Sequence, residues 1–174
     1  MHWNEVIFQL IDTRTFSNVW YWLAVAVTWS TVSHWIIGVP FDMIFRARRQ
    51  GGQAATDLEG LVDINVRRLE TITDLAGIWI TGFVCFALSG MATLGFYYGF
   101  ELAQGFFCLC FPLTFVGMMN MRQSKRYAVS QPQGEVLARD LLKLRFWIQG
   151  IAVVSIFFTA MYGMYHNLSS VSVF

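Results

Sequence analysis

Apolar residues fall into four long uncharged runs along this chain, separated by short charged segments. The runs lie near residues 19–39, 75–100, 102–120 and 146–165. As a helix, a run of about 20 apolar residues is long enough to cross the roughly 30 Å hydrocarbon core of a bilayer. The pattern therefore predicts an all-α integral membrane protein with four transmembrane helices. We expect the 174 residues to form a single four-helix membrane domain.

The segment before the second run has the pattern of an amphipathic helix. Thr56 and Glu59 have the spacing of a capping box, which satisfies free amides at a helix N-terminus. Apolar residues then recur at helical spacing, at Leu58, Leu61, Val62, Val66, Leu69 and Ile72. Charges stop after Asp74, so one continuous helix can carry both this cytoplasmic segment and the second span. Its apolar face, including Leu61 and Leu69, is expected to cover either the lipid surface or a partner's helix.

Basic residues are concentrated in two loops, residues 40–74 and 121–145. These loops hold eleven of the twelve Lys and Arg residues. The positive-inside rule places both loops in the cytoplasm, so both termini are expected outside, in the periplasm of a bacterium. Arg46, Arg48 and Arg49 are expected to meet anionic lipid headgroups, at about 1 kcal/mol each. The first 16 residues are expected to form an interfacial helix on the outer surface.

Small residues recur every four positions on three of the four runs, which predicts close helix–helix contact. The candidate interaction residues are Ala26, Ser30 and Gly38 on the first run, Thr81, Ser89, Gly95 and Gly99 on the second, and Ser155, Thr159 and Gly163 on the fourth. Gly95 and Gly99 form a GxxxG pair, which suits either a homo-oligomer or packing within one chain. We expect packing on the first or fourth span of the same chain, with a homo-oligomer as the alternative, because aromatic membrane helices contain GxxxG often by chance.

Composition and charge exclude several classes of function. Only 13% of residues are charged, about half the fraction usual in soluble proteins. The basic residues lack the aromatic interleaving and motifs of nucleic-acid-binding proteins. Cys108 and Cys110 project about 200° apart on a helix and have no nearby histidine, so no metal site is expected. No carboxylate falls within a run, and no nucleophile–base pair is visible, so we expect a protein that is not an enzyme.

His34 is the sharpest candidate for chemistry at membrane depth. It lies near the cytoplasmic end of the first run, one turn from Ser30. Such a histidine can bind a haem or a bacteriochlorophyll, but it more often bonds to a neighbouring helix or to interfacial water. A bis-histidine haem needs a second histidine at the same depth, whereas His2 and His166 fall on the opposite side. We therefore predict no cofactor, and keep a pigment- or haem-binding role for His34 as an alternative.

One half of the chain resembles a known group of proteins. The stretch from Phe41 to Gln53, read as FDMIFRARRQGGQ, and the helix that follows are similar to small four-span bacterial inner-membrane proteins of unassigned role. Some of these are labelled components of the SufBCD iron–sulfur assembly complex. That label is not carried over, because the chain has neither cysteine ligands nor a nucleotide-binding loop. In length and span number the chain is also similar to the small membrane subunit of tripartite uptake transporters.

One function is favoured because the chain lacks catalytic motifs and carries rows of small residues suited to helix packing. The sequence predicts a non-catalytic accessory or assembly subunit of a larger bacterial inner-membrane complex, whether respiratory, photosynthetic or transport. Its expected partners are membrane lipids and that complex. The alternatives are the His34 cofactor protein and the small transporter subunit.

Overall fold

A computed structural model describes residues 15–171, which form five helices and one short β-hairpin. A 3-10 turn (Thr15–Ser17) is followed by helix α1 (Val19–His34), strands β1 (Trp35–Ile36) and β2 (Val39–Pro40), and helix α2 (Phe41–Gln50). Helix α3 (Gly52–Ala92) continues as a π-helical turn (Thr93–Tyr97), and helices α4 (Glu101–Ser130) and α5 (Gly134–Val171) complete the chain. The predicted all-α class is confirmed. The predicted interfacial helix of the first 16 residues lies almost wholly outside the described residues.

Three helices are long and apolar enough to cross a membrane. They are Gly52–Tyr97, Glu101–Ser130 and Gly134–Leu168, and they contain the predicted second, third and fourth spans. The predicted third span runs through Pro112 without ending, although proline removes one backbone donor. Association with a membrane follows from the length and composition of these helices.

The first span differs from its prediction at the C-terminal end. Helix was expected over residues 19–39, but α1 stops at His34 after 16 residues, about 24 Å. The chain then reverses through Ile37 and Gly38, whose φ angles are +52° and +73°. Positive φ at both central residues is the geometry of a two-residue hairpin turn. Gly38 is suited to it, whereas Ile37 is held there because its side chain is buried.

The continuous helix that joins the amphipathic segment to the second span is confirmed, but it begins earlier than expected. Gly51 and Gly52 have φ angles of +59° and +50°, which turn the chain from α2 directly into α3. Thr56 is therefore inside the helix, where its hydroxyl donates to the Gly52 carbonyl at 3.4 Å. The capping-box prediction for Thr56 and Glu59 is wrong.

Both charged segments are largely helical. In the second, Gln131-Pro132-Gln133-Gly134 predicts a turn and residues 135–144 predict a helix after it, and the structure has both. Residues 121–145 are helical except at this turn: α4 ends at Ser130, and Gln131 after it has a left-handed φ of +39°. Apolar side chains at this end of the molecule hold the helices together. The best-buried of them are Ile36, Val39, Ile44, Leu58, Leu137, Leu141 and Ile148. The main hydrophobic core therefore lies at the end of the molecule that carries the charged segments, and it extends into the adjoining parts of the apolar runs through residues such as Trp29 and Ile148.

The membrane-length part of α3 is much less covered. Leu75, Ile78 and Trp79 are 79–89% exposed, and no residue of its most apolar window is buried. At the far end α3 and α4 form a tight hairpin, as expected for two runs that only Glu101 separates. A Cβ on Gly95 would lie 3.0 Å from the Gln104 backbone nitrogen, and the Gln104 amide donates to the Gly95 carbonyl at 2.8 Å. Gly95 is therefore a contact within the chain, but with the predicted third span and not with the first or fourth.

Candidate functional site

The small residues that recur every four positions on α3 form a row, here called its small-residue stripe. The rest of the described chain does not cover this stripe. Thr81, Cys85 and Ser89 are all exposed. A Cβ placed on Gly82, beside them, would meet no atom within 4 Å, so no neighbour approaches that surface. The half-buried positions of this part of α3, which include Val84, Leu88 and Met91, lie on the adjoining side of the helix. No side chain among residues 15–171 therefore covers the predicted contact residues Thr81 and Ser89.

The stripe of α1 is also exposed. Ala26 and Ser30 point away from the core, while Val25 and Trp29 are buried in it. Gly38, the third residue predicted there, lies in the hairpin turn. The Asn65 side chain comes within 3.1 Å of a Cβ placed on Gly38, and its amide donates to the Gly38 carbonyl at 3.3 Å.

The small-residue stripe of α5 is buried within the chain. Ser155 and Thr159 are buried, and the Thr159 hydroxyl donates to the Ser155 carbonyl at 2.8 Å. A Cβ on Gly163 would meet the Phe16 side chain at 3.1 Å. Gly163 therefore allows the 3-10 turn that precedes α1 to pack closely on α5. Of the GxxxG pair, Gly99 takes a φ of +75° in the turn before α4, with open space around it.

Leu61 and Leu69 are half-buried and pack against the chain's own core. The most buried face of this segment is instead Leu58, Val62 and Val66. The sequence left open whether lipid or a partner covers this apolar face. In the structure, helices of the same chain cover it. The three arginines predicted to meet headgroups, Arg46, Arg48 and Arg49, are all exposed on α2. The Arg49 guanidinium lies 5.0 Å from the Phe45 ring centroid.

His34 is the last residue of α1 and is exposed beside an open cavity of about 400 Å³. The cavity is lined by Ser30, Thr31, Ser33, His34, Trp35 and Arg145. The Arg145 guanidinium lies 3.4 Å from the Phe41 ring centroid, and its Nε is buried without a hydrogen-bond partner in the described chain. The ring of His34 has an edge-to-face contact with Trp35, with 6.1 Å between centroids.

Glu101 organises the opposite end of the molecule. Its Oε1 accepts a hydrogen bond from the Phe16 backbone amide at 2.8 Å, and its Oε2 lies 4.0 Å from His166 Nδ1. His34 and His166 therefore lie at opposite ends, as the sequence predicted; His2 falls outside the described residues. Within residues 15–171 no group of three His, Cys, Asp or Glu side chains is arranged to hold a metal ion.

Several long-range contacts were not predicted from the sequence, and two of them involve carboxylates. The Glu101 bond to Phe16 joins residues 85 positions apart. Glu59 accepts a hydrogen bond from the backbone amide of Gly134, 75 positions away. No local pattern marks either contact, because both depend on which helix ends meet in the folded chain.

These features define the class of protein: an all-helical chain with three helices able to span a membrane and a packed core beside them. Neither a protein-family model, nor a curated protein, nor a solved structure matches the chain.

Proposed function

We propose that this chain is a non-catalytic accessory or assembly subunit of a larger bacterial inner-membrane complex. The observation that carries the proposal is the open small-residue stripe of α3, which includes Thr81 and Ser89. Lipid-facing helix surfaces do not need small residues, whereas helix–helix interfaces are enriched in them because they let two backbones approach closely. An exposed stripe on a membrane-length helix suits a helix of another protein.

The proposal includes four membrane-crossing segments with both termini on the outer side. The position of α1 supports the fourth crossing, although this helix is short. Its start is tied to the outer hairpin by the bond between Phe16 and Glu101, and its end turns beside Asn65 in the charged half. Helix α1 therefore extends from one end of the molecule to the other. The eleven basic residues beyond that end support its cytoplasmic placement.

Purification from native membranes in a mild detergent tests this function. We expect the tagged protein to bring down a stoichiometric set of membrane proteins, identified by mass spectrometry. Thr81→Leu with Ser89→Leu should release them, since larger side chains keep the partner backbone away. Ala160→Leu is the matched control, because Ala160 is exposed on α5 outside the stripe. A protein that purifies alone, or partners kept by the double variant, would contradict the proposal.

The alternative of a cofactor bound by His34 has one observation in its favour, the open cavity beside the exposed ring. It predicts a visible absorption band in the purified protein that His34→Leu abolishes. A colourless wild-type protein removes this alternative. The small transporter subunit remains the other alternative, and a large permease among the copurified proteins would identify it.

A further inference from the structure

A long apolar groove lies between α4 and α5. Its volume is about 770 Å³, within the range of about 300–1,000 Å³ that is usual for ligand pockets. Aromatic rings form most of its walls, including Phe111 and Phe115 of α4 and Phe158 of α5. Gly150 forms part of the wall, and a Cβ placed there would meet no atom within 4 Å. The Thr159 hydroxyl bonds within α5, so the groove offers an almost wholly apolar surface.

A second cavity, of about 450 Å³, adjoins this groove between the same helices. Met119 and Trp147 line both, so the two form one continuous surface. The remaining residues of the second cavity are Arg122, Gln123, Arg126, Asp140, Lys143 and Leu144. Three cations and one carboxylate give it a net charge of +2.

The cations of this cavity are available to an anion. Lys143 Nζ lies 3.8 Å from Asp140 Oδ1, an exposed and therefore weak pair. Neither Arg122 nor Arg126 makes a salt bridge with any described residue. Two guanidinium groups thus stand in one cavity with the donor geometry that suits phosphate.

The boundary between the two cavities falls where the apolar runs end. The run of α4 stops just before Arg122, and that of α5 starts just after Arg145. Trp147 lies at this boundary, and tryptophan is enriched at the headgroup level of membranes. The basic cavity is therefore level with headgroups, and the apolar groove is level with acyl chains.

We propose that α4 and α5 form a binding site for an anionic phospholipid. Its phosphate lies among Arg122, Arg126 and Lys143, and an acyl chain lies in the groove along Phe111 and Phe115. An amphiphile fits because one end of the site is cationic and the other apolar; a partner's apolar helix would leave the cations unpaired. Basic pockets between membrane helices on the cytoplasmic side bind anionic headgroups in this way.

Native mass spectrometry of the full chain in mild detergent, titrated with phosphatidylglycerol or phosphatidylcholine, tests the headgroup part of the site. We expect phosphatidylglycerol to be retained and phosphatidylcholine to be lost. Arg122→Gln, Arg126→Gln and Lys143→Gln together should weaken phosphatidylglycerol binding about a hundredfold, at about fivefold for each charge. Arg122→Lys with Arg126→Lys keeps the charge and should retain most of the binding.

The control for charge is the triple variant Arg67→Gln, Arg68→Gln and Arg139→Gln, which removes as many cations from exposed positions outside the site and away from the α2 arginines expected at headgroups. It should leave phosphatidylglycerol binding unchanged. Equal losses in the two triple variants would show that only net charge matters, and would overturn the proposal.

The groove is tested by Gly150→Phe, whose ring enters open space and occupies the acyl-chain position. We expect lipid retention to fall at least tenfold while helical content, measured by circular dichroism, is unchanged. Gly117→Phe is the matched control, because Gly117 is exposed on α4, outside the groove, and also has nothing within 4 Å. If Gly150→Phe retains phosphatidylglycerol as the wild type does, the groove holds no acyl chain and the proposal is wrong.

Discussion

Glu59 of α3 accepts a hydrogen bond from the backbone amide of Gly134, the first residue of α5. The first amides of a helix have no partner within it, and a carboxylate there also interacts favourably with the helix dipole. Glu59 therefore caps a helix that begins 75 residues further along the chain. This contact joins the two charged segments that surround the main core.

Removing this cap should destabilise the folded protein. We expect Glu59→Ala to lower the free energy of unfolding by about 1–2 kcal/mol, as for other lost helix caps. Denaturant unfolding in detergent, followed by circular dichroism, measures the change. Asp57→Asn is the control, because Asp57 is exposed on the same helix and accepts a hydrogen bond from the nearby Gln53 side chain. An unchanged midpoint for Glu59→Ala would mean that the cap contributes nothing to stability.

The position of the core gives a second prediction. Leu141 is completely buried among the charged segments, whereas Leu75 is 79% exposed on the membrane-length part of α3. Leu141→Ala should cost about 2–5 kcal/mol through lost contacts and a cavity. Leu75→Ala should change stability by about 0.5 kcal/mol or less. The same unfolding measurement compares them, and similar costs for the two variants would place the stabilising core elsewhere.

Two glycines near the start of α3 should respond to alanine in opposite directions. Gly51 has a φ of +59° and Gly60 is inside the helix; neither has an atom within 4 Å of an added Cβ. Gly51→Ala should destabilise by about 1 kcal/mol, because a Cβ is strained at positive φ. Gly60→Ala should stabilise by up to about 1 kcal/mol through helix propensity. Each variant controls for the other, and shifts of the same sign would contradict the backbone argument.

The sequence predicted what depends on local pattern. Continuous helix from Leu58 through Leu75 follows from an unbroken helical spacing without proline. The turn at Gln131 follows from the Pro132 and Gly134 beside it, which disfavour a continuing helix. The three membrane-length helices could be predicted from their apolar runs alone.

The sequence could not predict contacts that depend on neighbours. The run of α1 is apolar on all sides, so periodicity does not reveal that Trp29 is buried and Ala26 exposed. Its early end depends on Ile37 in a tight turn, where burial outweighs the conformational preference of a β-branched residue. The groove beside Gly150 needs two helices side by side, and no single segment encodes it.

Cysteine labelling of the turns between the helices distinguishes three membrane crossings from four. Tyr98 is exposed in the turn before α4, and Gln133 is exposed in the turn before α5. On a background without Cys85, Cys108 and Cys110, we expect Tyr98→Cys to react with a membrane-impermeant maleimide in intact cells. Gln133→Cys should react only after lysis, because the basic segments around it face the cytoplasm.

The decisive site for the fourth crossing is Val19, which is 75% exposed at the start of α1. The bond between Phe16 and Glu101 places this end of α1 beside the turn that contains Tyr98. Val19→Cys should therefore react in intact cells, as Tyr98→Cys does. Labelling of Val19→Cys only after lysis would place the start of α1 in the cytoplasm and leave three crossings.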